Sequence, residues 1–217
     1  MTTQNEKHRT GWLTLCVCLC GITLFLLSLQ AAAATAQAGQ TPTYQIWIQD
    51  PHTSESALTT VRVPDYSLWN ATRVTDYEDS LLVDMPPPMA ILTIDRMNLQ
   101  VPIWNGTGDL VLNRGAGRIK GTATMDEGGN LGLSGHRDGF FRGFKDIEMG
   151  DEIKIQTTRG VQNYEVSSIY IVPKEDISPL APSDEKIITV VTCYPFYFVG
   201  HAPKRLIVKA TAISPSH

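Results

Sequence analysis

The sequence predicts an all-β domain over residues 89–213, and three observations carry that expectation. Short segments rich in β-branched and aliphatic residues recur between turn signals. Seven or eight of them fit into about 125 residues, the density of a sandwich or a closed barrel. Gly115, Gly117, Gly121, Gly128, Gly129 and Gly150 punctuate the joins. A span of that length supports one core of its own.

The chain has 217 residues and a formal net charge of −4, and it divides by composition. Residues 1–10 form a tip carrying Lys7, His8 and Arg9. Gly11 to Leu29 has no charged side chain, and Ala31 to Ala36 follows with small residues. About twenty apolar residues cross a bilayer as a helix, and a basic flank stays on the cytoplasmic side. Residues 11–34 therefore read as a transmembrane anchor, with everything after them outside the cell membrane in a single-pass topology. The Ala34-Thr35-Ala36 triplet also fits a signal-peptidase site, which would release the same exported portion.

From residue 35 to residue 88 the character is that of an acidic tether. Between Thr35 and Met85 only Arg62 and Arg73 oppose seven acidic residues. One short amphipathic helix is expected near 67–82, with Ser67 as its N-cap and Trp69, Val74, Tyr77, Leu81 and Leu82 at helical spacing. Such a helix needs a surface to cover, and the following domain offers one. Pro86-Pro87-Pro88 ends any helix and makes a stiff spacer.

The expected strands of the domain are Ala90 to Ile94, Leu99 to Ile103, Leu131 to Gly135, Glu152 to Ile155, Tyr164 to Val172, Ile187 to Thr192 and Leu206 to Ala212. Residues 214–217 are a tail. From Pro86 to His217 fourteen acidic residues balance fourteen basic ones, so no basic surface points to nucleic acid.

Chemistry concentrates at three strand ends. Cys193 closes the run Thr189 to Cys193 and is the one cysteine outside the anchor, which holds Cys16, Cys18 and Cys20. In an exported domain it has no disulfide partner, so it is either a packed thiol or a nucleophile kept reduced. His136 follows Ser134-Gly135 at another strand end, and Arg205 opens the last strand. A thiolate that attacks, an imidazole that moves a proton and a planar cation for an oxyanion suit acyl transfer from an amide. Spacing alone favours the packed thiol, since almost any domain has a cysteine, a histidine and an arginine somewhere.

Longer stretches resemble a known family. Leu131 to Phe144 (LGLSGHRDGFFRGF), Val191 to Val199 (VTCYPFYFV), Ala202 to Val208 (APKRLIV), Gly106-Thr107 and Gly115 to Ile119 are similar to the sortases, membrane-anchored cysteine transpeptidases of bacteria, and match the class D type most closely. Ser67-Leu68-Trp69 with Arg73, Tyr77, Ser80 and Leu81 resembles a segment that precedes the barrel in that type.

The resemblance implies an eight-stranded sortase-type β-barrel with short helices. It implies that Cys193 attacks after threonine in a C-terminal sorting signal of the Leu-Pro-x-Thr-Gly kind, forming a thioacyl enzyme. An amine acceptor, from a peptidoglycan precursor or a protein lysine, then resolves it. His136 would serve as general acid and base, and Arg205 would hold substrate and oxyanion. Thr192, Tyr194, Phe196, Phe198 and His201 are the further candidates for substrate contact, although the aromatic set also fits as a barrel plug and His201 as a plain loop residue. Asp138 either orients His136 or stabilises its turn. No cofactor is expected. The acidic pairs Asp126-Glu127, Glu175-Asp176 and Asp184-Glu185 lack the spacing of a dedicated calcium loop.

Ordinary thiol and imidazole affinities leave roughly 3% thiolate and 25% imidazolium at pH 7, hence on the order of 1% of molecules with both charges. Slow turnover with a bell-shaped pH profile follows. Two other readings use the same residues: an exported cysteine peptidase in which water resolves the thioacyl group, and a membrane-tethered non-catalytic β-barrel that binds a peptide around a packed Cys193. A packed thiol resists alkylation in the folded state, whereas a groove thiol is modified.

Overall fold

The structure is a computed structural model that describes residues 41–197 and 200–213. The expected anchor, the tail at 214–217 and Phe198 lie outside the described residues. Among those described, no helix is long and apolar enough to cross a membrane.

Eight strands close into a barrel. They are β3 (Ala90–Ile94), β4 (Leu99–Asn105), β5 (Ala116–Arg118), β6 (Asn130–Gly135), β7 (Glu152–Thr157), β8 (Gly160–Pro173), β9 (Ile187–Tyr194) and β10 (Lys204–Ile213). Their order around the barrel is β10-β8-β7-β3-β4-β5-β6-β9. Closure pairs every edge, the resolution a small sheet domain needs. Inward positions supply the core, with Leu92, Ile103, Leu133, Ile153, Tyr164, Val190 and Val208 all buried. Burial of Tyr164 pushes its phenol up to about 12, with Asp126 adding to the rise.

All expected strands are present, and β5 is an addition. Its three residues, Ala116-Gly117-Arg118, are too short to show an alternation, and a Cβ on Gly117 would collide with the Gly106 carbonyl. The close backbone approach explains the glycine there.

The tether carries structure that its acidic average conceals. β1 (Thr43–Gln49) and β2 (Ser56–Arg62) form an antiparallel hairpin, from Thr43 opposite Arg62 to Gln49 opposite Ser56. Ile48 and Val61 bury against Ile91 of β3, with Tyr44, Ile46 and Ala57 packed alongside. The period-two pattern Tyr44, Ile46, Ile48 was legible, but Trp47 on the outer face interrupts its contrast. The proline spacer is held by the Trp104 indole, which donates to the Pro86 carbonyl at 2.9 Å.

The expected helix forms as α1 (Ala71–Leu81), three residues inside the predicted start. Asn70, not Ser67, is the N-cap: its side chain accepts from the Arg73 amide at 2.8 Å. Leu81 and Leu82 do not join the packed face and are exposed. The surface that α1 covers is aromatic. Trp69 and Tyr77 meet Phe140 edge-on, with centroids 5.1 and 5.7 Å away, and Tyr66 completes the cluster. A second short helix, α2 (Asp109–Arg114), precedes β5.

Phe140 opens a 3₁₀ segment, Phe140–Asp146, whose Phe141 and Phe144 rings meet at a tilt with centroids 4.6 Å apart in the core. Gly135 is required beneath it, because a Cβ there would lie 2.6 Å from the Phe141 ring. Gly135→Ala is expected to destabilise the fold by about 1–3 kcal/mol, the cost of overpacking a filled core. A thermal melt of the variant beside wild type measures it, and an unchanged midpoint would mean the ring moves freely.

Candidate active site

Strand direction explains why the three strand ends meet. β6 and β9 run parallel, with Gly135 opposite Thr192, so the next residues, His136 and Cys193, leave adjacent strands at the same level. β10 runs antiparallel to β9 with Arg205 opposite Cys193. One rim therefore receives the C-terminal ends of two strands and the start of a third. Cys193, His136 and Arg205 line a single cleft of about 460 Å³, together with His201, Arg73 and Asp138. A larger groove of about 680 Å³ beside the hairpin is lined by Trp47, Tyr66, Trp104 and the proline spacer, and among its described lining residues there is no thiol or imidazole.

Cys193 is free and half-buried, unlike the fully packed thiol that a purely structural role predicts. Arg205 is fixed by its own loop: one terminal nitrogen donates to the Ala202 carbonyl at 3.2 Å and the Lys204 carbonyl at 2.9 Å. Lys204 is exposed, as strand alternation requires. Burial holds the His136 imidazole below its ordinary proton affinity. The nearby Arg73 guanidinium adds to this, while Asp138, Asp109 and Asp76 oppose it.

The remaining candidates separate. Thr192 is buried and its hydroxyl donates to the Gly135 carbonyl at 2.8 Å; it faces the barrel and ties β9 to β6 just below Cys193 and His136. Tyr194 and Phe196, rings 6.2 Å apart, line a groove of about 340 Å³ with Tyr197, Leu206 and Ile169. Phe196 is buried at its base and Tyr197 exposed at its edge. His201 stands exposed in the cleft of Cys193.

Three arginines in this region escaped the sequence reading of the site. Arg137 donates to the Pro195 and Gly200 carbonyls, both at 3.0 Å, and so ties the His136 turn to the loop after Cys193. Arg142 donates to the Phe196 carbonyl at 2.7 Å and lies 4.1 Å from the Tyr197 ring centroid. Arg73 arrives from α1. The run His136-Arg137-Asp138 was visible, but the carbonyls that Arg137 holds are 58 and 63 residues away.

A closed eight-stranded barrel with a thiol, an imidazole and a guanidinium on one rim defines the class: a β-barrel built around a thiol cleft. The chain belongs to the sortase family, whose model, described as the Sortase domain, matches residues 92–213. It is 40% identical over 119 residues to sortase D of Bacillus subtilis (strain 168), a match spanning 54% of this chain and 60% of that protein. The match thus covers less than two thirds of that relative's length. The structure of a Clostridium perfringens sortase D5 transpeptidase superimposes with a TM-score of 0.54 at 29% identity, covering 65% of this chain and 89% of that one. The lid mutant of sortase A from Corynebacterium diphtheriae shares the fold, with a TM-score of 0.56 at 23% identity over 67% of this chain and 96% of that one. The class D resemblance accords with the first two relatives.

Proposed function

We propose that the chain is a membrane-anchored sortase that cleaves a C-terminal sorting signal of the Leu-Pro-x-Thr-Gly type and transfers the upstream protein to an amine. The observation that carries this reading is the convergence of Cys193, His136 and Arg205 in one cleft within a sortase barrel.

In this mechanism the Cys193 thiolate attacks the carbonyl carbon of the threonine, and the oxygen takes up negative charge beside Arg205. The carbon–nitrogen bond then breaks. The departing amine takes its proton from the His136 imidazolium, leaving a thioester on Cys193 and a neutral imidazole. An incoming amine attacks that carbon and gives its proton to His136. The carbon–sulfur bond breaks and returns the thiolate. Every proton lost by His136 in the first half is regained in the second.

The apolar groove lined by Tyr194, Phe196 and Leu206 begins one residue from the nucleophile. It suits the leucine and proline of such a signal, because apolar pockets with few polar groups favour burial of aliphatic side chains. The uncharged run from Gly11 to Leu29 supports the anchor, and with it a single-pass location in the cell membrane and an extracytoplasmic barrel. The acceptor would be a peptidoglycan precursor amine or a protein lysine.

The test incubates the full chain with Leu-Pro-x-Thr-Gly peptides and a glycine or diamine acceptor and reads intact mass. A thioacyl adduct that converts to amine-linked product is expected. Resolution by water alone would make the chain a peptidase, and no adduct across a varied peptide set, with Cys193 unreactive to alkylation, would leave a binding barrel.

A further inference from the structure

We propose that Arg73, carried by α1, is a positioning residue of the active site that clamps the Asp138 turn and thereby sets the placement and charge surroundings of His136. The proposal rests on the role assigned to His136 above, and it makes the segment before the barrel a working part of the cleft.

The turn after β6 is held from two sides. Within it, the amides of Gly139 and Phe141 both donate to the His136 carbonyl at 3.2 Å, which fixes the backbone that carries the imidazole. From outside, Arg73 Nε lies 3.3 Å from Asp138 Oδ1, and Asn70 Nδ2 lies 3.4 Å from Asp138 Oδ2. Arg73 of α1 thus forms an ion pair with one carboxylate oxygen, its Nε–H not aligned for a hydrogen bond, while the N-cap Asn70 donates to the other. Asp138 is engaged by α1, and among the described residues no hydrogen bond joins it to the imidazole, so it stabilises the turn rather than orienting the ring directly.

Arg73 itself has little freedom. Its side chain is 14% exposed. One terminal nitrogen donates to Asn113 Oδ1 on α2 at 2.6 Å and lies 3.4 Å from Asp76 Oδ2 on its own helix. The aliphatic stem crosses Gly139: a Cβ on that glycine would lie 3.2 Å from Arg73 Cδ and 3.7 Å from His136 Cβ. The aromatic packing of Trp69 and Tyr77 on Phe140, four residues after His136, holds α1 against the same turn. One guanidinium therefore links α1, α2 and the His136 turn while lining the catalytic cleft.

The charges around His136 come from every neighbouring element. α1 contributes Arg73 and Asp76, α2 contributes Asp109, and the turn contributes Asp138. Arg137, Lys174, His201 and Arg205 share the cleft with Cys193. A fixed cation at Arg73 disfavours the imidazolium and also neutralises the carboxylate that would favour it. Removing Arg73 thus acts twice in the same direction, deleting the opposing cation and releasing Asp138 beside the ring. A helix that merely braced the barrel would leave the titration of His136 unchanged.

The experiment follows the His136 imidazole by NMR in the full chain as the pH is varied, for wild type, Arg73→Gln, Arg73→Lys and Asp138→Asn. The titration is expected to move to higher pH in Arg73→Gln, to stay near wild type in Arg73→Lys, and to move to lower pH in Asp138→Asn. In Arg73→Lys, which keeps the charge but cannot hold the Asp138 ion pair and the Asn113 hydrogen bond together, kcat is expected to fall on the order of tenfold through misplacement of the ring. An unmoved His136 titration in both Arg73→Gln and Asp138→Asn would overturn the proposal. So would full activity in Arg73→Lys. The titration needs no turnover, so a chain that proved inactive on every peptide would still test the clamp. Asp138→Asn keeps the test open should Arg73→Gln fail to fold.

Discussion

Cys193→Ala in the full chain is expected to yield no thioacyl adduct and to lower turnover by at least ~10³-fold, since no other described side chain in the cleft can carry the acyl group as a stable thioester. The fold should survive. Cys193 is half-buried at a strand end, and the truncation removes one sulfur from a site already open to the cleft. Intact mass after exposure to sorting-signal peptides, beside a thermal melt, separates the two effects. Cys193→Ser should behave like the alanine variant, because a hydroxyl beside His136 is a far weaker nucleophile than a thiolate. An adduct that persists in either variant would move the nucleophile elsewhere and remove the sortase mechanism with it.

The second large effect belongs to His136. His136→Ala is expected to cost about 10²–10⁴-fold in kcat/KM, the range for a positioned acid or base. The pH dependence gives the sharper test. Burial, then Arg73, hold the folded-state imidazole below its ordinary affinity, so less than the ordinary ~25% is imidazolium at pH 7. If the reactive form carries thiolate and imidazolium together, kcat/KM climbs with pH as thiolate forms and levels once His136 loses its proton. The bend on the acid side should therefore fall below pH ~6.5, and it should vanish in His136→Ala. A bend above that value would contradict the buried environment of the ring.

The same shift is a statement about stability. A group whose folded-state affinity for protons is depressed gives its stability in the neutral form. That contribution is fully present above the unfolded value of ~6.5 and is lost as pH falls through the folded one. Wild type should lose stability over that acid window more steeply than His136→Ala, as measured by melts at a series of pH values.

Much of this was readable before the fold was known. The strands Ala90–Ile94 and Ile187–Tyr194 were visible because buried barrel strands are short aliphatic runs bounded by turns. Cys193, His136 and Arg205 stood out because each ends or begins such a run. The hairpin at Thr43–Gln49 and Ser56–Arg62 was concealed by charge averaged over the tether, although its inward residues alternate. Thr192 shows what local position conceals. Its place beside Cys193 suggests a substrate contact, but its buried hydroxyl is turned onto the Gly135 carbonyl.

The sequence by itself determined the strand segments, the family and the three candidate side chains at strand ends, because these depend on local pattern and on residue type within a few positions of a strand end. Only the tertiary structure decided that β6 and β9 run parallel with Gly135 level with Thr192, that Arg205 sits opposite Cys193, and that Arg73 of α1 grips Asp138. Strand register and helix docking arise from packing between segments tens of residues apart. Their energy lies in burial and in paired polar groups that no local stretch of chain contains.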